Sequence, residues 1–438
     1  MEALYTSFFL LGVLILFLSA GVWIFVSLML VSIISLFVIL GYPLDRIGAI
    51  MISRFHQASG SWEIACIPMF MWMGEIVVRT DIAQRLFRGL SPIVNNLPGR
   101  LLHTNVAGCA IFAALSGSST ATTATIGKIT LGELQKRGYD TDLSLGSLAG
   151  AGSFGLMIPP SIIFIIYGVL SEQSIAKLFL AGVFPGLLLA VLYSLYIIVR
   201  SLLNPNIAPK LDQKYTFKDY TNCFFLMLPI LILIVVVLGS IYTGIATPTE
   251  AAAVGVVVAL LMVTLMGQMT TKIFWSSIKG ALETSCMVCT LLAAAAFLST
   301  GMGLLHIPQD ISNAIGNFDL SPYQLLSVLA IFYILLGFFL DGISITIMSL
   351  PICLPLIISA GFSPIWFGVF LVTMTELAMI TPPVGFNLFV IQGMSGYSIG
   401  RVAKAAIPFF FLMVLGVIII SIYPRIALWL PDLFFPGK

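Results

Sequence analysis

LLHTNVAGCAIFAALSGSSTATTATIGKITL opens residues 101–170, and LSLGSLAGAGSFGLMIPPSIIFIIYGVL closes them after a short polar link. An apolar run of about half a membrane width leads into Ser116-Gly117-Ser118-Ser119, and a second short run leads back out. A membrane crossing needs ~20 apolar residues, so neither run spans alone. Together they predict a re-entrant helical hairpin with a polar tip at membrane depth. The longer run that follows is interrupted by Pro159-Pro160. Each proline removes a backbone donor and clashes with the preceding turn, which predicts a broken helix. Open backbone at membrane depth is tolerated only when buried in protein or lining a cavity. A hairpin tip beside a broken helix is therefore the pattern of a transport site near the midplane.

The layout recurs. Residues 323–394 hold a second hairpin with tip Asp341-Gly342-Ile343-Ser344 and a second break at Thr381-Pro382-Pro383. SIAKLFLAGVFP from Ser174 is echoed by SIGRVAKAAIP from Ser398. The offset is 225 residues between Gly117 and Gly342, 223 between Pro159 and Pro382, and 224 between the two serines. Landmarks in one order at one offset predict an internal duplication.

Composition agrees. The chain has 438 residues, 59% hydrophobic and 9% charged, against ~25% charged in soluble domains. This predicts an all-α polytopic membrane protein surrounded by lipid. A net charge of +2 gives no nucleic-acid footprint. MEALYTSFF lacks the basic region of a cleavable signal peptide, so the first helix is expected to act as an uncleaved insertion signal. Cys286 and Cys289 form a CxxC inside a helical run and are read as packing residues, not a redox or metal pair. No zinc-ligand cluster, Walker loop or nucleophile–His–acid arrangement is evident, so an enzyme is not expected.

The predicted organisation is as follows. Residues 1–78 are scaffold helices, with a turn near Ser19-Ala20-Gly21 and a helix over 62–78. Residues 79–99 are an amphipathic, Arg-rich cytoplasmic arm in the membrane interface. Residues 100–200 form the first transport half, with its last span near 178–200 and His103 at an interfacial hairpin base. Scaffold spans near 223–242, 250–268 and 281–300 fill 201–300. A second, periplasmic arm covers 301–322, the second transport half 323–430 with a final span at 405–430, and a tail 431–438. Placing both ends of the first hairpin in the cytoplasm puts 15 of the 20 Lys and Arg on that side and 5 on the other, a positive-inside bias. Five spans between the hairpins then invert the second repeat and leave both termini periplasmic.

At these motifs the sequence resembles the large membrane subunit of tripartite ATP-independent periplasmic (TRAP) transporters. The resemblance rests on FAALSGSSTATTATIG (112–127), GLMIPPSIIFIIY (155–167), SIAKLFLAGVFPG (174–186), GIATPTEAAAVG (244–255), LDGISITIMSLPICLP (340–355) and ELAMITPPVGFNLFV (376–390). It implies an elevator-type ion-transporter fold in a bacterial inner membrane. It implies Na⁺-driven uptake of a small organic acid anion, such as a sialic acid, a C4-dicarboxylate or a sulfonate. It also implies two partners: a separate small TRAP membrane subunit and a periplasmic substrate-binding protein. A binding-protein-independent Na⁺- or H⁺-coupled anion symporter is the alternative.

Na⁺ needs several oxygen ligands. The C-terminal ends of half-helices suit a cation and the N-terminal ends suit a carboxylate. Candidate Na⁺ ligands, through side chain or backbone, are Ser118, Ser119, Pro159 and Pro160 in the first half. In the second they are Asp341, Ser344, Thr346, Thr381, Pro382 and Pro383. At least two Na⁺ sites are expected. Candidate substrate contacts are Ser116, Gly117 and Ser161, with Gly342, Gly385 and Asn387. Helix capping is the competing role for the hydroxyls. Intramembrane Glu376 is read as either a bond to unwound backbone or a ligand. Glu250, in Thr247-Pro248-Thr249-Glu250, is read as a structural capping box.

Overall fold

A computed structural model describes residues 2–209, 216–307, 321–383 and 385–436. All regular structure among them is helical. Among the described residues, six helices are long and apolar enough to cross a membrane: Ile175–Leu203, Phe217–Tyr242, Pro248–Leu265, Thr271–Leu304, Gly342–Ser359 and Ile399–Ile422. A seventh crossing is available if Leu44–Ala58 and Trp62–Val78, bent by 56°, act as one. The chain is a multi-pass membrane protein.

Helix boundaries follow local chemistry. The first hairpin pairs His103–Ser116 with Ser119–Lys136. Gly117 turns between them at φ +57°, a left-handed conformation glycine adopts without Cβ strain. The first broken helix is Thr141–Gly152 and Ile162–Ser171, opened by the caps Asp140 and Ser161. The second hairpin pairs Pro322–Leu336 with Gly342–Ser359. The second broken helix is Pro364–Met379 and Phe386–Ser395.

The two halves interlock. The outgoing arm of each hairpin packs on the post-break helix of the other half: Ser119–Lys136 on Phe386–Ser395, and Gly342–Ser359 on Ile162–Ser171. The long span after each broken helix does likewise: Ile399–Ile422 lies on Thr141–Gly152 and Ile175–Leu203 on Pro364–Met379. The seam is aromatic. Phe154 stacks on Tyr193 at 5.4 Å, and Phe409 meets the edges of Tyr193 and Tyr196 at 5.2 and 5.3 Å. On the other side Trp366 stacks between Phe362 and Phe370. Its indole N–H donates to Ile420 O at 2.9 Å. Cys66–Val78, Phe217–Tyr242 and Pro248–Leu265 pack together beside this block, with Ile82–Val94 on Phe217–Tyr242; Thr271–Leu304 joins Cys66–Val78 to Ile24–Ile34 and Leu44–Gly60.

Several expectations are revised. The helix over 62–78 starts as a 3₁₀ turn, Trp62–Ala65, before Cys66–Val78. Leu44–Gly60 is a helix that the sequence reading did not separate out, because it is only weakly apolar. The span at 281–300 belongs to the 34-residue helix Thr271–Leu304. That helix is about 50 Å long, longer than the ~30 Å bilayer core, so the second arm cannot begin at 301. Most of that arm, 308–320, lies outside the described residues. The last span is Ile399–Ile422; Arg425–Phe434 is a separate short helix after Tyr423-Pro424. His103, at the hairpin base, is buried with Nε2 2.8 Å from Pro98 O. Cys289 is partly buried while Cys286 is exposed, so only the former packs. Glu250 does form the capping box: its Oε2 accepts from Thr247 N and Oγ1, both at 2.8 Å.

Candidate functional site

The first tip is pressed onto the first break. A Cβ on Gly117 would stand 3.1 Å from Pro160 O. A Cβ on Gly155 would stand 2.5 Å from the backbone of Ser118 and Ser119. Only glycine permits that approach, which leaves polar backbone of tip and break side by side. The hydroxyl of Ser116 lies 2.6 Å from that of Thr122 and 3.3 Å from Ser118 O. Ser118 caps the outgoing helix by accepting from Ala121 N, and Ser161 caps the post-break helix by accepting from Phe164 N. Pro159, Pro160 and Ser161 are buried against this tip.

A carboxylate from the other half completes the arrangement. Glu376 Oε1 accepts from Ser119 Oγ and, at 2.7 Å, from Leu156 N in the unwound segment. Glu376 is fully buried, and its Oε2 has no partner among the described residues. One side chain on Pro364–Met379 thus ties together the first tip and the first break. Of the two roles open to Glu376, the structure displays the bond to unwound backbone.

The second tip is built differently. Asp341 caps its helix, with Oδ2 accepting from Ile343 N at 3.2 Å and Oδ1 accepting from Ser344 Oγ. Thr346 donates to Gly342 O at 2.8 Å and Thr381 to Leu377 O at 2.6 Å. A hydroxyl that donates keeps its lone pairs, so these bonds leave each oxygen able to face a cation. Gly342 abuts Ile163, Thr375 and Met379. Pro382 and Pro383 are exposed. The second tip therefore meets the helix before its break and leaves the Pro-Pro uncovered, unlike the first, and Thr381 turns its hydroxyl to its own helix.

Asn387 is buried, and neither amide atom has a partner among the described residues. Its helix runs parallel to Ser119–Lys136. Met394 reaches the position of a Gly127 Cβ, and Ser395 and Tyr397 line a cavity with Leu131 and Gln135. Gly385 precedes Asn387 within 3.0 Å of Thr381 O through its own N–H. The structure thus brings Ser116, Gly117, Ser118, Ser119 and Pro160 together at the first tip, with Glu376 bonded to Ser119 and Leu156. Asp341, Gly342, Ser344 and Thr346 form a second cluster. Among the described residues there is no group of three His, Cys, Asp or Glu side chains able to hold a metal. A cation at the first tip would meet hydroxyl and backbone oxygens beside Glu376, and one at the second would add the Asp341 carboxylate; such oxygen-only donor sets fit Na⁺. Thr122, Gly155 and Leu156 were not anticipated as site residues.

The sequence profile described as "Tripartite ATP-independent periplasmic transporter, DctM component" matches residues 11–426. The chain belongs to the DctM family. Relatives within it are transporter permease subunits. The chain is 32% identical to the C4-dicarboxylate TRAP transporter large permease protein DctM of Pseudomonas aeruginosa, over 90% of this chain and 92% of that one. It is 30% identical to the isethionate TRAP transporter permease protein DctMQ of Oleidesulfovibrio alaskensis, over 97% of this chain and 66% of that one. It is 32% identical to the ectoine/5-hydroxyectoine TRAP transporter large permease protein UehC of Ruegeria pomeroyi, over 85% and 87%. Two solved structures share the fold. They are the YdaH transporter of Alcanivorax borkumensis (TM-score 0.62, 12% identity, 90% of each chain) and MtrF of Neisseria gonorrhoeae (TM-score 0.56, 12% identity, 88% and 84%). The DctM-family chain is therefore a polytopic membrane protein whose relatives are permease subunits.

Proposed function

We propose that this DctM-family chain imports an organic acid anion by Na⁺ symport with an elevator movement. The observation that carries the reading is the first tip against the first break. There, polar backbone and the Ser116, Ser118 and Ser119 hydroxyls crowd together at the ends of several half-helices. Half-helix C-termini favour Na⁺, and the N-termini after Ser118, Ser161, Asp341 and Gly385 favour a carboxylate or sulfonate. The backbone of Pro159, Pro160, Pro382 and Pro383 and the hydroxyls of Ser344, Thr346 and Thr381 extend the Na⁺ donor set. Gly117, Gly342 and Asn387 would meet the anion. The interlocked hairpins and broken helices would move as one body against the remaining helices.

Two relatives are named for C4-dicarboxylate and isethionate, which supports an organic acid anion as substrate. We assign a separate small membrane subunit and a periplasmic substrate-binding protein as partners, in keeping with a tripartite family. Among the described residues, the broken helix Thr141–Gly152 with Ile162–Ser171, counted as one crossing, and the helices Ile175–Leu203, Phe217–Tyr242, Pro248–Leu265 and Thr271–Leu304 would make five crossings between the hairpins. An odd number of crossings supports inverted repeats, the positive-inside bias supports periplasmic termini, and the periplasmic transporter family supports a bacterial inner-membrane location. With two or more Na⁺ per singly charged anion, each net positive charge moved inward gains roughly 2.3 kcal/mol per 100 mV. The test is uptake into proteoliposomes holding the assembled membrane subunits, with the binding protein outside. Uptake should require a Na⁺ gradient and saturate. Equal uptake in K⁺ alone would overturn the coupling, and equal uptake without the binding protein would favour the binding-protein-independent symporter.

A further inference from the structure

A second polar feature lies away from both tips. The helix Ile82–Val94 and the outgoing arm Ser119–Lys136 of the first hairpin touch sparingly and leave a cavity of about 860 Å³ between them. Helical spacing sets two polar stripes across it: Gln84, Arg88 and Ser91 on one wall, and Thr125, Lys128 and Glu133 on the other. Residues such as Phe87 and Ile129 make the rest of the wall apolar.

The cations divide into two kinds. Arg79 is paired with Glu75 at 2.7 Å, and Arg137 with Glu133 at 2.5 Å. Arg88 and Lys128 have no acidic partner among the described residues, though each lines the same cavity from a facing wall. The nearby acids are already engaged by other arginines, so two positive charges face the cavity unneutralised. The opposite face of Ile82–Val94 is fixed: Gly89 lies against Met227 and Cys223. Arg88 therefore stands on an anchored helix and Lys128 on a hairpin arm.

We propose that this cavity is an oxyanion site, taking a phosphate or carboxylate group of one or two negative charges between Arg88 and Lys128. A guanidinium offers a two-pronged donor set and an ammonium a point charge, which together suit such a group. The mixed polar and apolar wall, on an amphipathic interfacial helix, fits the headgroup of an anionic phospholipid. A water-borne anion would use the same two cations. Bound there, the oxyanion bridges the arm helix and the first hairpin, and holds the hairpin in the position seen here.

The experiment uses the full chain in nanodiscs at low ionic strength and reads thermal unfolding. In phosphatidylcholine discs, added phosphatidylglycerol should raise the melting temperature of the wild type. Arg88→Gln and Lys128→Gln should each weaken the apparent affinity on the order of tenfold, the loss of one charge-assisted bond. The double variant should lose the response, and the charge-preserving pair Arg88→Lys with Lys128→Arg should keep it. Inorganic phosphate producing the same Arg88- and Lys128-dependent rise in phosphatidylcholine alone would assign the site to a water-borne anion. A rise that persists undiminished in a folded double Gln variant, or no rise with either probe, would overturn the proposal.

Discussion

Removing the Glu376 carboxylate is the sharpest test of how the two halves are joined. Glu376→Ala strands two buried donors, the Leu156 N–H and the Ser119 hydroxyl, which now share Oε1. An unsatisfied buried donor costs about 1–3 kcal/mol, so the pair predicts a loss of about 2–6 kcal/mol before any term for the vacated volume. Glu376→Gln keeps an acceptor for both donors. It places an amide N–H₂ where Oε2 has no partner among the described residues, an expected cost of about 1–3 kcal/mol. The assay is denaturant unfolding of purified protein in detergent, alongside uptake at matched expression. Alanine should be clearly the worse of the two, and Na⁺-driven uptake should fall with it. An Ala variant as stable as wild type would refute the staple. Equal losses for Ala and Gln would mean that charge, not hydrogen bonding, sets the role of Glu376.

Other expectations follow from the same geometry. Gly155→Ala drives a methyl to 2.5 Å from the Ser118 backbone and should cost about 1–3 kcal/mol by overpacking. Gly132→Ala, with nothing within 4 Å, should be neutral or stabilising in the same unfolding assay. If Ser118, Ser119, Ser344 and Thr381 line cation sites, their Ala variants should raise the Na⁺ concentration for half-maximal uptake; unchanged Na⁺ titrations in all four would leave only backbone ligands. Glu250→Gln keeps the capping-box acceptor and should leave both stability and the Na⁺ titration nearly unchanged, since its partners are Thr247 atoms alone. Cysteine cross-links between the first hairpin and Cys66–Val78, which pack together, should stop uptake; normal turnover with the link closed would exclude an elevator.

The hairpins, the breaks and the repeat were legible because each is written in local chemistry. Gly117 and Pro159-Pro160 fix backbone geometry wherever the chain goes, and the 223–225 residue offset needs only counting. Glu250 was legible for the same reason, because a capping box closes over three residues. What could not be read was long-range pairing. Ser119 and Glu376 are 257 positions apart, and nothing in either segment says that one will reach the other. The cost of an intramembrane carboxylate signals that Glu376 must have a partner without saying which. Gly155 looked like one small residue among many, and only the approach of the Ser118 backbone shows that a methyl has no room there. The asymmetry between the two tips was equally hidden, since both segments read as a polar tip followed by a Pro-Pro.

That asymmetry bears on mechanism. In the first half the tip covers its break, and a carboxylate from the second half bonds to both. In the second half Asp341 and Ser344 satisfy one another within a single turn, and Pro382 and Pro383 stay exposed. The two tips thus differ in closure. The first is held by a bond that crosses between halves, so opening it must break or stretch the Ser119–Glu376–Leu156 link. The second is held only by its own helix cap, so its tip can separate from Thr375 and Met379 without disturbing the first. Because the post-break helices are exchanged between halves, a rigid rotation of one half against the other would tear four packed interfaces. Movement of the interlocked block as a unit against the remaining helices would preserve all four, and the independent opening of the second tip would then admit and release the anion.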